Sequence, residues 1–193
     1  MSPRTARIAK LTPPGTHHVV DRARLHDLLD SRRSKAVCWL AGPPGSGKTA
    51  LAASYLAHSA SAGLWMQIDP GDNDPATFFY FLRLAALKLR PKSARHLPLL
   101  TPEYFADMRG FARSFFRKLA AILPSRSLVI FDDWHKLAAD SIMHDLLEVA
   151  IAEAPLDVRF MVASRIGPAE LFARLLANGQ LLVLGWDALR ARA

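Results

Sequence analysis

The 193-residue sequence has a single cysteine, Cys38, and this scarcity excludes a disulfide framework. Cys38 lies in an apolar run, where a buried strand residue is expected and a reducing compartment is favoured. No apolar run approaches the roughly 20 residues that cross a bilayer. The N-terminus carries positive charge without an apolar stretch after it, so it does not match a secretory signal. We therefore expect a cytoplasmic protein with no membrane association.

The formal net charge of the whole chain is +8, and acidic residues are scarce in two parts of it. Residues 1–35 hold eight Lys and Arg against three Asp and Glu, and residues 83–118 hold nine against two. Such blocks attract nucleic acid or anionic lipid in some proteins and form ordinary solvated surfaces in others. The solvated surface is favoured because no recognition motif accompanies the charge. Direct DNA binding is the weaker alternative, and it would depend steeply on salt.

Internal repeats and low-complexity tracts are also absent, and the length suits one domain with a sizeable core. Three prolines among residues 1–18 indicate an irregular N-terminal arm, and residues 19–193 form the expected domain. Five short apolar runs, bounded by turn residues, have the character of strands buried on both faces. These runs are residues 36–41, 64–68, 127–131, 158–163 and 181–184.

Helical patterns alternate with the apolar runs, which predicts αβα layers around a mostly parallel five-stranded sheet. Residues 91–126 are the least regular, and we predict a loop followed by a helix at about 102–123. A glycine at position 179 is expected to end the last long helix. The predicted helix starts are Asp21, Asp74 with Pro75, Asp140 with Ser141, and Pro168.

The segment GPPGSGKT matches the phosphate-binding pattern G-x-x-x-x-G-K-[ST], and it lies between a predicted strand and a predicted helix. Its glycines let backbone N–H groups converge on phosphate oxygens, where a Cβ would obstruct the approach. Lys48 would reach the β- and γ-phosphates, and Thr49 would offer its hydroxyl to Mg²⁺. The residues expected to contact a nucleotide here are Gly42, Pro43, Pro44, Gly45, Ser46, Gly47, Lys48, Thr49 and Ala50.

Two aspartates follow the apolar run of residues 127–131 directly. In a parallel sheet the ligand lies beyond the carboxyl ends of the strands, on the same side as the loop. Asp132 is therefore the expected Mg²⁺-binding acid, and Asp133 the expected base for an attacking water. Arg165 follows the fourth run and is expected to contact the γ-phosphate. The expected catalytic group is thus Asp133, Lys48 and Arg165, with an ordinary turn and a surface arginine as alternatives.

Two other polar residues stand near these runs. Asp69 ends the second run and either faces the site or caps the next turn. His135 is expected to be structural, because a single histidine supports neither a metal site nor a triad. One predicted strand and roughly 80 residues separate Lys48 from the aspartates, a spacing that by analogy is typical of the RecA and AAA+ side of the P-loop folds.

Taken in order, these segments resemble the nucleotide-binding domain of the maltose-regulon activator group. This group consists of large ATP-binding LuxR-type bacterial transcription regulators within the STAND class of signal-transduction ATPases. The resemblance covers about residues 10–190 and is most distinctive in residues 63–82, GLWMQIDPGDNDPATFFYFL, and in residues 158–185. It implies a five-stranded αβα P-loop domain that binds ATP or ADP with Mg²⁺ and hydrolyses ATP slowly.

The resemblance also implies roles for individual residues. Val20 and Arg22 would contact the adenine side of the nucleotide, and Arg165 would sense the γ-phosphate. The family often has an aromatic or larger residue where this chain has Ser46, a difference that should leave phosphate binding intact. ATP would favour a self-associated form over a resting form. The family's winged-helix, sensor and DNA-binding domains are absent from this sequence, so DNA binding is expected only through a part that this chain lacks.

Two other functions fit the same motifs. A P-loop phosphotransferase acting on a small molecule would need a lid with arginines, for which residues 83–118 are the only candidate. A non-hydrolysing interaction module would keep nucleotide only for stability.

Overall fold

The computed structural model describes residues 8–16, 22–59 and 62–190, and within them five strands form one sheet whose neighbouring strands all run parallel. Each of the five predicted apolar runs is a strand, and the sheet is fully rather than mostly parallel. The strands are β1 (Val37–Ala41), β2 (Gly63–Gln67), β3 (Leu128–Asp132), β4 (Arg159–Ser164) and β5 (Leu181–Leu184).

The strand order across the sheet is β2-β3-β4-β1-β5. β4 therefore lies between β1, which leads into the glycine-rich loop, and β3, which ends in an acid. A strand inserted beside the loop strand is the arrangement of the RecA and AAA+ side of the P-loop folds, to which the spacing in the sequence had pointed. The register pairs Ala41 with Ser164 and Gln67 with Asp132, so the carboxyl ends of these strands meet at one edge of the sheet.

Successive strand residues point to opposite faces, and helices cover both faces. Val129 and Phe131 belong to one core and Ile130 to the other, so β3 contributes to two hydrophobic cores. The helices are α1 (Ala23–Ser31), α2 (Lys48–His58), α3 (Pro75–Leu89), α4 (Met108–Ile122), α5 (Met143–Glu153), α6 (Ala173–Ala177) and α7 (Trp186–Leu189). The first core includes residues of α3, α4 and α5, and the second includes residues of α1, α2 and α7.

Two sequence predictions about local roles are confirmed. The carboxylate of Asp74 accepts hydrogen bonds from the backbone N–H groups of Ala76 (3.4 Å) and Thr77 (3.0 Å), which caps α3 at its N-terminus. Cys38 is buried in β1, and burial raises the pKa of its thiol to about 12. A thiol in this state is a core side chain and a poor nucleophile.

Several predicted helix starts differ from the structure. α5 begins at Met143 and not at Asp140, which lies in an exposed turn; the Ser141 hydroxyl accepts from the Met143 N–H at 3.4 Å. α4 begins at Met108, because Asp107 caps it by accepting from Gly110 N at 2.8 Å. No helix starts at Pro168: a 3-10 turn, Glu170–Phe172, precedes the short α6, which ends at Ala177, and Gly179 follows its C-cap with φ +65°, the position predicted for it. Asp21 lies outside the described residues.

Candidate nucleotide site

The glycine-rich loop connects β1 to α2 at the carboxyl edge of the sheet. Gly45 and Gly47 have φ values of +78° and +77°, a left-handed conformation in which glycine is favoured over other residues. The Gly42 N–H donates to the Ser164 carbonyl at 3.2 Å, which fixes the start of the loop against β4. α2 begins immediately after Gly47, so the positive end of its dipole points toward the loop.

Lys48 is buried inside this loop. Its Nζ donates hydrogen bonds to the carbonyls of Gly42 (2.7 Å) and Pro43 (2.9 Å) and to the hydroxyl of Ser46 (2.9 Å). Burial lowers the pKa of Lys48, an effect that the Asp132 carboxylate opposes and the Arg165 guanidinium reinforces. An anion beside this ammonium would favour its charged form.

Thr49 and Asp132 lie in direct contact. The Thr49 hydroxyl donates to Oδ1 of Asp132 at 2.9 Å, and the backbone N–H of Asp133 donates to the same oxygen at 3.0 Å. Asp132 is only 2% exposed, and burial raises the pKa of its carboxyl group despite the hydrogen bond from Thr49. A hydroxyl and a carboxylate are ligands that Mg²⁺ accepts together with phosphate oxygens and water.

Asp133 has the left-handed φ of +60°, which turns its side chain away from that of Asp132. Its Oδ2 accepts from Lys136 Nζ at 2.9 Å and from Gln67 Nε2 at 3.1 Å. Burial works to raise the pKa of Asp133, but the hydrogen bonds from Lys136 and Gln67 lower it overall. Asp133 is therefore ionised at neutral pH. The pKa of the adjacent Asp132 is shifted in the opposite direction.

A cavity of about 470 Å³ adjoins the loop and brings most of the predicted site residues together. Arg165, the exposed residue that follows β4, reaches this cavity as predicted. Asp132 is buried beneath the cavity behind Thr49, in contact with that residue. The lining residues are Pro14, Gly15, Pro44, Gly45, Gly47, Lys48, Thr49, Ala50, Asp133, His135 and Arg165.

His135, Pro14 and Gly15 line the cavity without having been identified from the sequence as site residues. Nδ1 of His135 is buried and has no hydrogen-bond partner among the described residues, and burial together with Arg165 lowers the pKa of the ring. The position of His135, two residues beyond an acid at the edge of the sheet, is the one signal that could have indicated this location. Nothing in the local sequence of Pro14 and Gly15 indicates theirs.

Arg22, expected on the adenine side, packs against the loop. Its guanidinium lies 3.5 Å from the Ser46 carbonyl and 3.5 Å from the Leu189 carbonyl, so it connects the loop to α7. A Cβ on Gly47 would collide with the same guanidinium. Val20, the other residue expected near the adenine, lies outside the described residues.

Asp69 caps the turn after β2 and is not among the residues that line the cavity. Its Oδ1 accepts from Gly71 N at 2.8 Å, and its Oδ2 forms an ion pair with Lys10 at 2.7 Å. Of the two alternatives for this residue, the structure therefore favours the cap.

The basic stretch of residues 83–118 lies away from the cavity. Arg113 and Arg117 of α4 pair with Glu153 at the end of α5, at 3.0 and 2.8 Å, and Arg109 pairs with Glu148 at 3.4 Å. None of the described residues that line the cavity comes from this stretch. Its charge is thus partly neutralised within the helical layer, and it supplies no lid.

Within the described ranges, no three His, Cys, Asp or Glu side chains are grouped so that they could hold a metal ion by themselves. A divalent ion at Thr49 and Asp132 would therefore need ligands from a nucleotide and water. The described helices include none with the length and hydropathy of a membrane span.

The sequence is similar to transcription regulators. It is 30% identical over 187 residues to the HTH-type transcriptional regulator MalT of Vibrio cholerae, a match that covers 94% of this chain and 20% of the regulator. MalT proteins of two further Vibrio species are also similar, at 28% identity, and the chain spans about a fifth of the length of each of these curated relatives. The resemblance to the maltose-regulon activator group is confirmed.

Two solved structures share the fold. A STAND protein with a tetratricopeptide repeat sensor from Pyrococcus horikoshii superposes with a TM-score of 0.58 at 18% identity, covering 90% of this chain and 24% of that one. A Walker-type ATPase of Pyrococcus abyssi gives a TM-score of 0.54 at 13% identity, covering 89% and 56%. The fold is therefore the three-layer αβα P-loop fold that the sequence predicted.

A family model also matches most of the chain. The model described as Nephrocystin 3, N-terminal, covers residues 16–165, from the end of the described arm to the arginine after β4. The chain therefore belongs to the nephrocystin 3 N-terminal family, has the P-loop fold seen in a STAND protein, and is similar in sequence to part of the MalT regulators.

Proposed function

We propose that this chain is an ATP- and ADP-binding switch domain that hydrolyses ATP slowly, within a LuxR-type transcription regulator. The observation that carries the proposal is the 2.9 Å hydrogen bond between Thr49 and Asp132, beside the buried Lys48. A hydroxyl and a carboxylate held together next to a phosphate-binding loop are the protein's share of a site for Mg²⁺ and a nucleotide.

The residues present fit such a nucleotide. Gly45 has no neighbouring atom within 4 Å of an added Cβ, so this side of the loop is open to a phosphate group. Lys48 and the N-terminus of α2 supply positive charge to the same place. Mg²⁺, when bound with the nucleotide, would neutralise part of the phosphate charge. Thr49 and Asp132 would hold the ion from the protein side.

Hydrolysis would depend on Asp133 and Arg165. Among the described residues both side-chain partners of Asp133 bind Oδ2, so Oδ1 is the oxygen that would accept a proton from water. The lowered pKa of Asp133 keeps the carboxylate ionised at neutral pH but makes it a weak base, which suits slow turnover. Arg165 would contact the γ-phosphate and so distinguish ATP from ADP.

The signalling role rests on the relatives. Proteins named MalT are HTH-type transcriptional regulators, and this chain matches a fifth of their length. We infer that the chain is the part that switches between ATP- and ADP-bound states, that it self-associates with ATP bound, and that DNA is bound by other parts of the regulator. A cytoplasmic location is part of this proposal.

The proposal is tested by titrating ATP and ADP into the wild-type chain and Lys48→Ala by calorimetry, with and without Mg²⁺. A hydrogen bond to a charged group contributes about 1.5–3 kcal/mol, so the substitution should weaken binding roughly 10- to 150-fold. Lys118→Ala, an exposed lysine of α4, is the control and should bind as wild type. Absence of binding to the wild type, or equal binding by Lys48→Ala, contradicts the proposal.

Turnover is measured separately with ATP labelled on the γ-phosphate. Slow release of free phosphate is expected, together with a lower rate for Asp133→Asn. Label transferred to an added small-molecule acceptor would favour the phosphotransferase alternative.

A further inference from the structure

The described part of the N-terminal arm, residues 8–16, runs from the hydrophobic core beneath α3 to the nucleotide cavity. Leu11 is 4% exposed and belongs to the core beneath α3, and the residues Ala9–Leu11 form one 3-10 turn. A few residues later, Pro14 and Gly15 line the cavity beside Lys48 and Arg165. The arm therefore has one end in the core, and the other end forms a side of the cavity.

Lys10 fixes the arm to the turn that follows β2. Its Nζ donates to Oδ2 of Asp69 at 2.7 Å and to both carboxylate oxygens of Asp72 at 2.8 and 2.6 Å. The same ammonium lies 4.5 Å from the centre of the Phe81 ring. The Lys10 side chain is 12% exposed, so its pair with the fully buried Asp72 is shielded from solvent, whereas the Asp69 side chain is 50% exposed.

The turn after β2, residues 69–73, is the acidic turn, and its two aspartates both bind that ammonium. Asp72 is 0% exposed, and its Oδ2 accepts from the Asp69 N–H at 2.8 Å, while Asp69 caps the turn through Gly71. Asp69 and Asp72 together form a capping box, so one hydrogen bond to each carboxylate belongs to the turn itself. The fully buried charge of Asp72 requires a positive partner in addition, and Lys10 supplies it.

β2, the strand that leads into this turn, contacts the expected catalytic acid. Gln67, two residues before Asp69, donates to Oδ2 of Asp133 at 3.1 Å. The turn itself is fixed against the segment after β3, because Oδ1 of Asn73 accepts a hydrogen bond from the Ala138 N–H at 2.8 Å. The arm, the acidic turn and Asp133 thus form one connected set of contacts around the cavity.

We propose that Lys10 is a positioning residue, whose pairing with Asp69 and Asp72 docks the arm so that Pro14 and Gly15 close one side of the nucleotide cavity. Arm docking and nucleotide binding then stabilise each other to the same extent, because coupling between two binding events is reciprocal. This inference rests on the proposed function, since it takes the cavity as the site of ATP or ADP.

The test compares Lys10→Met, which keeps the aliphatic length, with Lys10→Arg, which restores the charge. Lys92→Met, at an exposed lysine, is the matched control. Because Lys10→Met leaves Asp72 buried without its cation, the double variant Lys10→Met/Asp72→Asn is made as well. Two quantities are measured on the full chain: ADP affinity by calorimetry, and hydrogen exchange of the backbone amides in residues 8–16.

Lys10→Met and the double variant should exchange the arm amides faster without nucleotide and should bind ADP at least about tenfold more weakly. ADP should slow arm exchange in the wild type and in Lys10→Arg, and should leave it unchanged in the two methionine variants. Lys92→Met should match the wild type in both measurements. A merely structural role for Lys10 would not make the protection of the arm depend on ADP.

Two results would overturn this inference alone. One is wild-type ADP affinity in variants whose arm exchanges fast, and the other is unchanged arm exchange in Lys10→Met. A wild-type chain that binds neither ADP nor ATP would overturn the proposed function, and the inference with it.

Discussion

The Thr49 hydroxyl donates a 2.9 Å hydrogen bond to Oδ1 of Asp132, which joins the first turn of α2 to the last residue of β3. β1 and β3 are not neighbours, because β4 separates them in the sheet. The hydrogen bond therefore spans the width of β4. It can form because β1, β4 and β3 all end at the same edge of the sheet.

Asp132→Asn should retain ADP binding without Mg²⁺ and lose the gain in affinity that Mg²⁺ gives. The amide can still accept from Thr49 but cannot supply the negative charge that the ion requires. Phosphate release should fall on the order of 100-fold, since metal stabilisation of a transition state is worth several kcal/mol. Calorimetry with and without Mg²⁺ measures the first effect. Asp140→Asn, at an exposed aspartate, should change neither quantity.

The same Asp132→Asn variant should be more stable than the wild type at neutral pH without nucleotide. Burial raises the pKa of Asp132, so the folded state disfavours the charged form and the cost is present at pH values above the folded-state pKa. A gain of about 1 kcal/mol would raise Tm by roughly 2–4 °C in a chain of this size. The gain should shrink as pH falls toward about 4, where the unfolded carboxyl also becomes protonated. A Tm difference that grows on acidification contradicts this explanation.

Gly47→Ala should be more harmful than Gly45→Ala, although both glycines have φ near +77°. Either substitution carries the strain of a left-handed alanine, about 1–2 kcal/mol. Only the Gly47 methyl also displaces the Arg22 guanidinium, the end of a flexible side chain, so the added cost is small and comes from its lost contacts with the Ser46 and Leu189 carbonyls; nothing lies within 4 Å of an added Cβ at Gly45. Urea unfolding measures the difference. Combining Gly47→Ala with Arg22→Ala should cost less than the sum of the two single substitutions, and simple additivity would rule out the collision as the cause.

Asp133→Asn should lower phosphate release by about 10²–10⁴-fold, the usual contribution of a general base, and leave nucleotide affinity within about threefold. The lowered pKa of Asp133 also means that protonation of this group should not limit turnover above about pH 4. A pH–rate profile for the wild type and single-turnover measurements on both proteins check the two statements. An unchanged rate in the variant would show that another group, or water alone, accepts the proton.

Asp74→Ala should destabilise the fold by about 1 kcal/mol without changing nucleotide affinity, because the helix cap of α3 lies outside the cavity. The hydrogen bond from the Thr77 hydroxyl lowers the pKa of Asp74. The cap's contribution is therefore fully present above the ordinary carboxyl pKa of about 4 and is lost as pH falls through the lowered value. Thermal unfolding from pH 3 to pH 7 measures this, and Asp74→Ser should restore most of the loss.

The sequence by itself determined the parts of this protein that depend on neighbours in the chain. Short continuous apolar runs bounded by turn residues identified all five strands, and the loop pattern identified Lys48 and Thr49. Asp74 and Pro75 identified the start of α3 correctly, because a cap is a contact within one turn of helix. The helix starts predicted at Asp140 and Pro168 were wrong, since Asp140 lies in a turn and Pro168 in an irregular segment, and neither continues directly into an α-helix.

The tertiary structure decided what depends on contacts between distant segments. Lys10 meets Asp72 across 62 residues, and Arg22 meets the Leu189 carbonyl across 167. The place of His135 and Gly15 in the cavity, and the opposite pKa shifts of the adjacent Asp132 and Asp133, also follow from burial and from partners such as Thr49 of α2 and Gln67 of β2. Local pattern carries no information about these pairs, because it is the order of the strands in the sheet that brings them together.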